Sequence, residues 1–262
     1  MKKYAICIPA SDDFALAAAV LIHSLKKNLR VFDECDIKVP YNNLNEKSMN
    51  LIRKAHKDTI FDPPRDSSFY EHIPRTIYGV GNYDVYLSFE TFAQIGYKRS
   101  VYLDADMLCT GDFSNLIEDE TEIIWKYPNL GLLIAGEKYL TGECYDKMVE
   151  LVVSTGIKHR PDGDQVTCQH MFSPNNPDVG TVSEAYNFQN FGAGGKGDPK
   201  DYENNKELIK IIHYSGRRKP WGPIWDGDDN NKNCIRFATL MNENAAIKIW
   251  YKYYDQFREE CL

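Results

Sequence analysis

Residues 4–9, YAICIP, make a short apolar run, and soon after it Phe14, Ala18, Leu21 and Leu25 recur at helical spacing, with Ser11 or Asp12 available as the cap. This start is a β-turn-α unit, and no other feature constrains the fold more. An apolar strand delivered straight to an amphipathic helix has to lie in a sheet that the helix then covers. The alternation continues with DIKVP at 36–40, a helix near 45–56 carrying Met49, Ile52 and Ala55, and TIF at 59–61. The expected class is α/β, with a parallel-type sheet covered by helices. Further strands are expected at 100–104, 122–125, 131–136 and 207–216. Helices are expected over about 84–95, over about 143–155 and just after Asp164. A last helix carries Trp250, Tyr251, Tyr254 and Phe257, an aromatic face suited to packing on the body.

The 262 residues, 43% hydrophobic and 26% charged, suffice to bury a full core as one large domain. We expect that domain over 1–235, with a C-terminal helix in 236–262 packed on it. From Asp62 to Asn82 no period persists and Pro63, Pro64, Pro74, Gly79 and Gly81 break regular structure, so a loop is expected, and a loop this long is more often functional or mobile than idle. Gly192, Gly194, Gly195 and Gly197 lie close together but lack the GxxxxGK[ST] spacing, which makes their stretch a flexible loop and not a phosphate cradle. A net charge of −7 argues against nucleic acid as the main partner, because a phosphate backbone calls for a positive surface field. The apolar run at the start is too short for a signal segment, and FALAAAVLIHSL stops at Lys26 and Lys27, short of the roughly 20 residues of a spanning helix. Seven cysteines without CxxC spacing fit a reducing compartment, with Cys7 and Cys109 as buried thiols. A cytoplasmic, non-secreted chain is expected.

Chemistry enters with RSVYLDADML at 99–108, where an apolar strand runs into two aspartates one residue apart. Spacing alone says little, since 22 Asp should give roughly two Asp-x-Asp triplets by chance and the chain has three: Asp104/Asp106, Asp162/Asp164 and Asp226/Asp228. In an extended segment, however, Asp104 and Asp106 project to the same side while Ala105 points away. Two converging, partly buried carboxylates need a cation between them. Oxygen ligands suit Mg²⁺ or Mn²⁺, and an added imidazole tilts the choice to Mn²⁺. His213 ends a second apolar strand and opens HYSGRRKPW. There Gly216 lets backbone N–H groups approach a phosphate, and Lys219, fixed by Pro220 and Trp221, adds a point charge. Metal, lysine and backbone donors describe a site for a departing diphosphate. The third triplet, with Asp229, resembles a calcium loop but has Asn231 and Phe237 where that loop needs glycine and glutamate. The other histidines share no ligand spacing.

With YLDAD and the HxxGxxKPW pattern of His213, Gly216, Lys219, Pro220 and Trp221, the chain resembles glycosyltransferase family 8, the group of glycogenin, galactinol synthase and bacterial lipopolysaccharide galactosyl- and glucosyltransferases. The likeness extends to the first helix and to DGDQ at 162–165. It implies a GT-A fold with a mixed, mainly parallel central sheet flanked by helices. It implies a retaining, metal-dependent transfer of a hexose, glucose or galactose, from a UDP-sugar to a hydroxyl on a glycan, lipid-linked or protein acceptor. Asp104, Asp106 and His213 would bind Mn²⁺, or Mg²⁺ in its place. Asp104 and Ala105 would lie by the nucleotide, Gly216 and Lys219 on the diphosphate, and Phe14 on uracil beside the backbone of Ala10. Asn129, Asp162, Asp164, Gln165 and Trp221 would face donor sugar and acceptor, with Asp164 and Gln165 steadying the oxocarbenium-like sugar. A homodimer is compatible with the resemblance. Two departures stand out: Ser88 where many relatives have a basic residue, with Arg75 of the long loop a candidate to replace the lost charge, and Leu130 where they have a small polar one. Two other functions compete. A haloacid-dehalogenase-like phosphatase has no place for HYSGRRKPW, and Ser88 motivates a nucleotide-sugar binder without catalysis.

Overall fold

The structure, a computed structural model, describes residues 2–71, 73, 82–160, 162–189, 199–215, 218–223 and 244–262. In chain order the strands are β1 (Tyr4–Cys7), β2 (Cys35–Pro40), β3 (Ile60–Asp62), β4 (Arg99–Leu103), β5 (Met107–Cys109), β6 (Ile123–Trp125), β7 (Leu132–Gly136), β8 (Val179–Thr181), β9 (Phe188–Gln189), β10 (Ile211–His213), β11 (Arg218–Lys219) and β12 (Gly222–Pro223). The helices are α1 (Ala15–Asn28), α2 (Glu46–Ala55), α3 (Ser67–Glu71), α4 (Ser114–Glu118), α5 (Gly142–Ser154), α6 (Gly163–Met171), α7 (Pro199–Asn205) and α8 (Ala245–Cys261).

Every residue of β1 is buried because the strand has a parallel neighbour on each side, β2 and β4. The main sheet has seven strands in the order β3-β2-β1-β4-β7-β6-β8. It is parallel up to β4, then β7 runs antiparallel to both β4 and β6, so the sheet is mixed and mainly parallel. Alternation along the strands feeds two cores. Tyr4, Ile6, Val101, Leu103, Leu132 and Ile134 pack on one face, with α1 and with Trp250 and Phe257 of α8. Ala5, Tyr102, Leu133, Ala135 and Trp125 pack on the other, with Phe89, Phe92 and residues of α5 and α6. Each large side chain so buried contributes about 1.5–3 kcal/mol relative to exposure. The aromatic face of α8 is thus committed to the body. Cys7 and Cys109 are buried, free thiols. No helix among the described residues is long and apolar enough to cross a membrane.

Three elements differ from expectation, the first of them a short helix, α3, inside the segment expected as a loop over 62–82. The segment expected as an α-helix at 84–95 is a 3₁₀ segment, Asn82–Ala93. Its buried aromatics Tyr86, Phe89 and Phe92 stand three residues apart, and only a helix with three residues per turn stacks that period on one face. The strand expected over 207–216 narrows to β10, and Leu208 is 66% exposed. This strand also leaves the main sheet: β5, β10 and β9 form a second, three-stranded one. The stretch around Gly192–Gly197, the third aspartate triplet, Gly216 and Arg75 lie outside the described residues.

Candidate active site

The aspartates converge through a turn and not through an extended segment. The Asp104 N–H donates to the carbonyl of Gly131 at 3.0 Å, which carries the β4–β7 ladder one residue past Leu103, and then the Met107 N–H closes back onto the Asp104 carbonyl at 3.1 Å. That reversal ends β4 and sends the chain into β5 of the second sheet. There Met107 is registered against His213, and the Tyr214 N–H donates to the Asp106 carbonyl at 2.9 Å. The site is therefore the seam between two sheets.

At this seam His213 Nε2 lies 3.4 Å from Asp104 Oδ2 and 3.2 Å from Asp106 Oδ1. Lys219 Nζ donates to Asp106 Oδ2 and, at 2.8 Å, to the Tyr214 carbonyl. The Tyr102 hydroxyl, two residues before Asp104 on β4, donates to Asp104 Oδ1. Asp106, His213 and Lys219 are all buried. Burial alone would raise the Asp106 carboxyl, but Lys219 and His213 overcome it and hold the group below the usual carboxylate range. Burial likewise disfavours a charged His213, and the facing carboxylates outweigh it, so its pKa is raised. For Asp104 burial wins and its pKa is raised.

One ligand atom each from Asp104, Asp106 and His213 lies within 4.8 Å of the other two. A divalent cation fits this donor set, since two carboxylates and one imidazole are oxygen and nitrogen ligands at a spacing that one ion can bridge. Gly131 makes the approach possible. A Cβ there would stand 2.7 Å from both Nδ1 and Cε1 of His213 and 2.5 Å from the Met107 methyl.

Other expected residues gather around this centre. Phe14, half-buried at the start of α1, meets Trp221 edge-on with centroids 5.8 Å apart, and Lys219 Nζ lies 5.7 Å from the Phe14 centroid. Trp221 packs in turn on Trp250 at 5.6 Å, so α8 backs this corner. Trp221 Nε1 is buried without a hydrogen-bond partner among the described residues. Ala10 gives its N–H to the Pro40 carbonyl at 3.2 Å. Ala105 is buried.

Asn129 and Gln165 meet, with Asn129 Nδ2 3.4 Å from Gln165 Oε1 and the Leu130 N–H donating to the same oxygen at 3.4 Å. Asp164, in the first turn of α6, is pushed up to about 8, chiefly by enclosure among protein atoms and then by the charge of Asp104. Asp162 stands apart from this cluster: it is paired with Arg160 at 2.9 and 3.0 Å and held below its usual range by it. Leu130 is buried among apolar side chains. Ser88 is buried, and its hydroxyl has no partner among the described residues.

Two residues escaped sequence reasoning. Tyr102 was in plain view inside YLDAD, but only the turn shows that its hydroxyl meets Asp104. Asn187 meets two site groups, His213 and Asn129, from a stretch, EAYNFQ, that carries no spacing signal.

The family model described as glycosyl transferase family 8 matches residues 5–124, from β1 through the aspartate turn to β6. No curated protein sequence matches the chain. Among solved structures, galactosyltransferase LgtC in complex with donor and acceptor sugar analogs is 18% identical, with a TM-score of 0.62 over 92% of this chain and 96% of that one. The glycosyltransferase GlyE of Streptococcus pneumoniae TIGR4 is 17% identical, with a TM-score of 0.61 over 96% of this chain and 64% of GlyE. Mouse xyloside xylosyltransferase 1 is 13% identical, with a TM-score of 0.52 over 81% of this chain and 97% of that one. At these identities the structural likeness speaks for the fold, while the sequence match is a resemblance over 5–124. Residues 5–124 thus resemble glycosyl transferase family 8, and the chain as a whole has the mixed α/β fold of these glycosyltransferase structures.

Proposed function

We propose that the chain transfers a hexose, glucose or galactose, from a UDP-sugar to a hydroxyl acceptor with retention of anomeric configuration. The observation that carries this reading is the meeting of Asp104, Asp106 and His213 within 4.8 Å, with Lys219 held against Asp106. A divalent cation, Mn²⁺ by its fit to two carboxylates and an imidazole, would supply positive charge to a diphosphate there. Lys219 adds a second positive charge from the opposite strand pair. At about 4 Å and an effective dielectric near 20, one such charge pair amounts to about 4 kcal/mol. If a third of that develops only as the leaving group gains charge, it is worth roughly tenfold in rate.

Phe14 offers a ring to uracil, and with its N–H committed to Pro40, Ala10 has only its carbonyl left for the edge of the base. Gly216, outside the described residues, is assigned to the diphosphate on the motif alone. Asn129, Asp162, Asp164, Gln165 and Trp221 are assigned together to the donor sugar and acceptor. Compensating the charge of Asp104 removes one of the three causes that raise Asp164, and so favours the anion that can face an oxocarbenium-like sugar. In a front-face reaction the departing phosphate oxygen takes the acceptor proton, so no side chain has to act as nucleophile.

A second reading, a nucleotide-sugar binder without turnover, is favoured by one observation: Ser88, where many relatives carry a cation, is buried and offers no charge. UDP release from a panel of UDP-sugars, with and without chelator, separates the two. Chelator-sensitive release of UDP from UDP-glucose or UDP-galactose supports the transferase. Binding without release supports the alternative.

A further inference from the structure

Asn187 sits between the 3₁₀ turn Glu184–Tyr186 and β9, and is 2% exposed. The parallel pairing of β9 with β10, with Gln189 registered against His213, brings it beside the imidazole. His213 Nδ1 lies 2.9 Å from Asn187 Oδ1, and Asn187 Nδ2 donates to Asn129 Oδ1 at 2.7 Å. Asn129 Oδ1 also accepts from the Gly131 N–H at 3.1 Å.

The last of these contacts fixes the sense of all the others. A backbone N–H can only donate, so the Asn129 atom facing Gly131 is its oxygen. The Asn187 atom that meets the same oxygen must then be its NH₂. That leaves the Asn187 oxygen towards His213, and the imidazole can meet it only with a hydrogen on Nδ1. A flipped Asn187 would set two oxygens 2.7 Å apart with no hydrogen between them. In its neutral form, therefore, His213 carries its hydrogen on Nδ1 and turns the lone pair of Nε2 to Asp104 and Asp106.

We infer that Asn187 is a positioning residue: one amide holds His213 in the tautomer that can ligate through Nε2, and with its other end locates Asn129, whose amide contacts Gln165. The inference rests on the cation site proposed above. It ties the cation ligand to the sugar-facing residues through a single side chain, the kind of outer contact whose loss typically lowers metal affinity about 10–100-fold.

The test is titration of Mn²⁺ into the wild-type chain, N187L and N187D, read by the electron paramagnetic resonance signal of the free ion, with melting temperature and UDP-sugar turnover measured on the same samples. N187L should bind Mn²⁺ about 10–100-fold more weakly. N187D keeps an acceptor for Nδ1–H but offers no donor to Asn129, so it should bind Mn²⁺ at least as well as wild type while its turnover falls. Equal Mn²⁺ affinity in wild type and N187L, with only the melting temperature changed, overturns the inference, as does N187D losing affinity as N187L does. Wild type that fails to bind Mn²⁺ overturns the cation site itself and this inference with it. Should N187L not fold, the ring ¹⁵N shifts of His213 in the wild-type chain at alkaline pH decide: a protonated Nδ1 supports the assignment and a protonated Nε2 refutes it.

Discussion

Gly131 and His213 approach so closely that a single methyl group on Gly131 would stand 2.7 Å from the imidazole ring. The backbone of the histidine is anchored by the β5–β10 pairing and that of the glycine by the β4–β7 ladder, so it is the imidazole ring that has to yield.

The first prediction follows from that contact. G131A should displace the His213 ring from the two carboxylates, and a misplacement of about 1 Å costs on the order of 10²-fold in rate. Overpacking of this kind also costs about 1–3 kcal/mol of stability. UDP release and thermal unfolding of G131A check both, and near-wild-type activity would show that the imidazole does not need this position.

Lys219 carries the second prediction. K219M removes the charge from the candidate diphosphate site, and at least a tenfold loss of turnover is expected if about 1.4 kcal/mol of its interaction is felt in the transition state. It also leaves Asp106 buried with one partner fewer, and breaking a buried pair typically costs about 3–5 kcal/mol. Added Mn²⁺ should therefore raise the melting temperature of K219M by more than it raises that of wild type, since the ion supplies the compensation the lysine gave. Equal shifts in the two proteins would count against competition for the same carboxylate.

Much of this centre was legible in the sequence, and the rest was hidden for identifiable reasons. Strands β1 and β7 read clearly because their runs are wholly buried and hence continuously apolar. Asp104, Asp106, His213 and Lys219 could be grouped by motif. Asp106 and Lys219 stand 113 positions apart in the chain, however, and the sheet pairings that bring them together are encoded by no local pattern. Asn187 was missed on the same ground, since its place depends on the β9–β10 register. The aromatic stripe of Tyr86, Phe89 and Phe92 was readable, but as a helical signal it was assigned the commoner period of 3.6 in place of 3.

The third prediction concerns pH and lies away from the site. Glu90 is buried, and its Oε1 accepts from the Arg65 N–H and the hydroxyls of Tyr70 and Tyr145, each at 3.1 Å. Burial raises its pKa more than these donors lower it. A carboxyl whose folded pKa is raised is fully accommodated below its unfolded value of about 4.3, and that stability is lost as pH rises through the folded value. E90Q keeps an acceptor oxygen without the charge. Its melting temperature should exceed that of wild type at pH 8, and the gap should close at pH 4. A gap that widens on acidification would contradict the sign.

Ser88 gives the fourth. An unpartnered buried hydroxyl costs about 1–3 kcal/mol, so S88A should be as stable as wild type or more stable. It should also leave the KM for a UDP-sugar donor unchanged, because the hydroxyl meets no group of the site. A raised KM in S88A would place Ser88 in contact with the donor.

The most direct measurement is a crystal structure of the chain grown with Mn²⁺ and UDP, with data collected at the manganese absorption edge. A single anomalous peak coordinated by Asp104, Asp106 and His213 together, with the diphosphate beside Lys219, is the predicted result. A peak elsewhere, or none, in a chain that still releases UDP from its donor in excess chelator, would contradict the account.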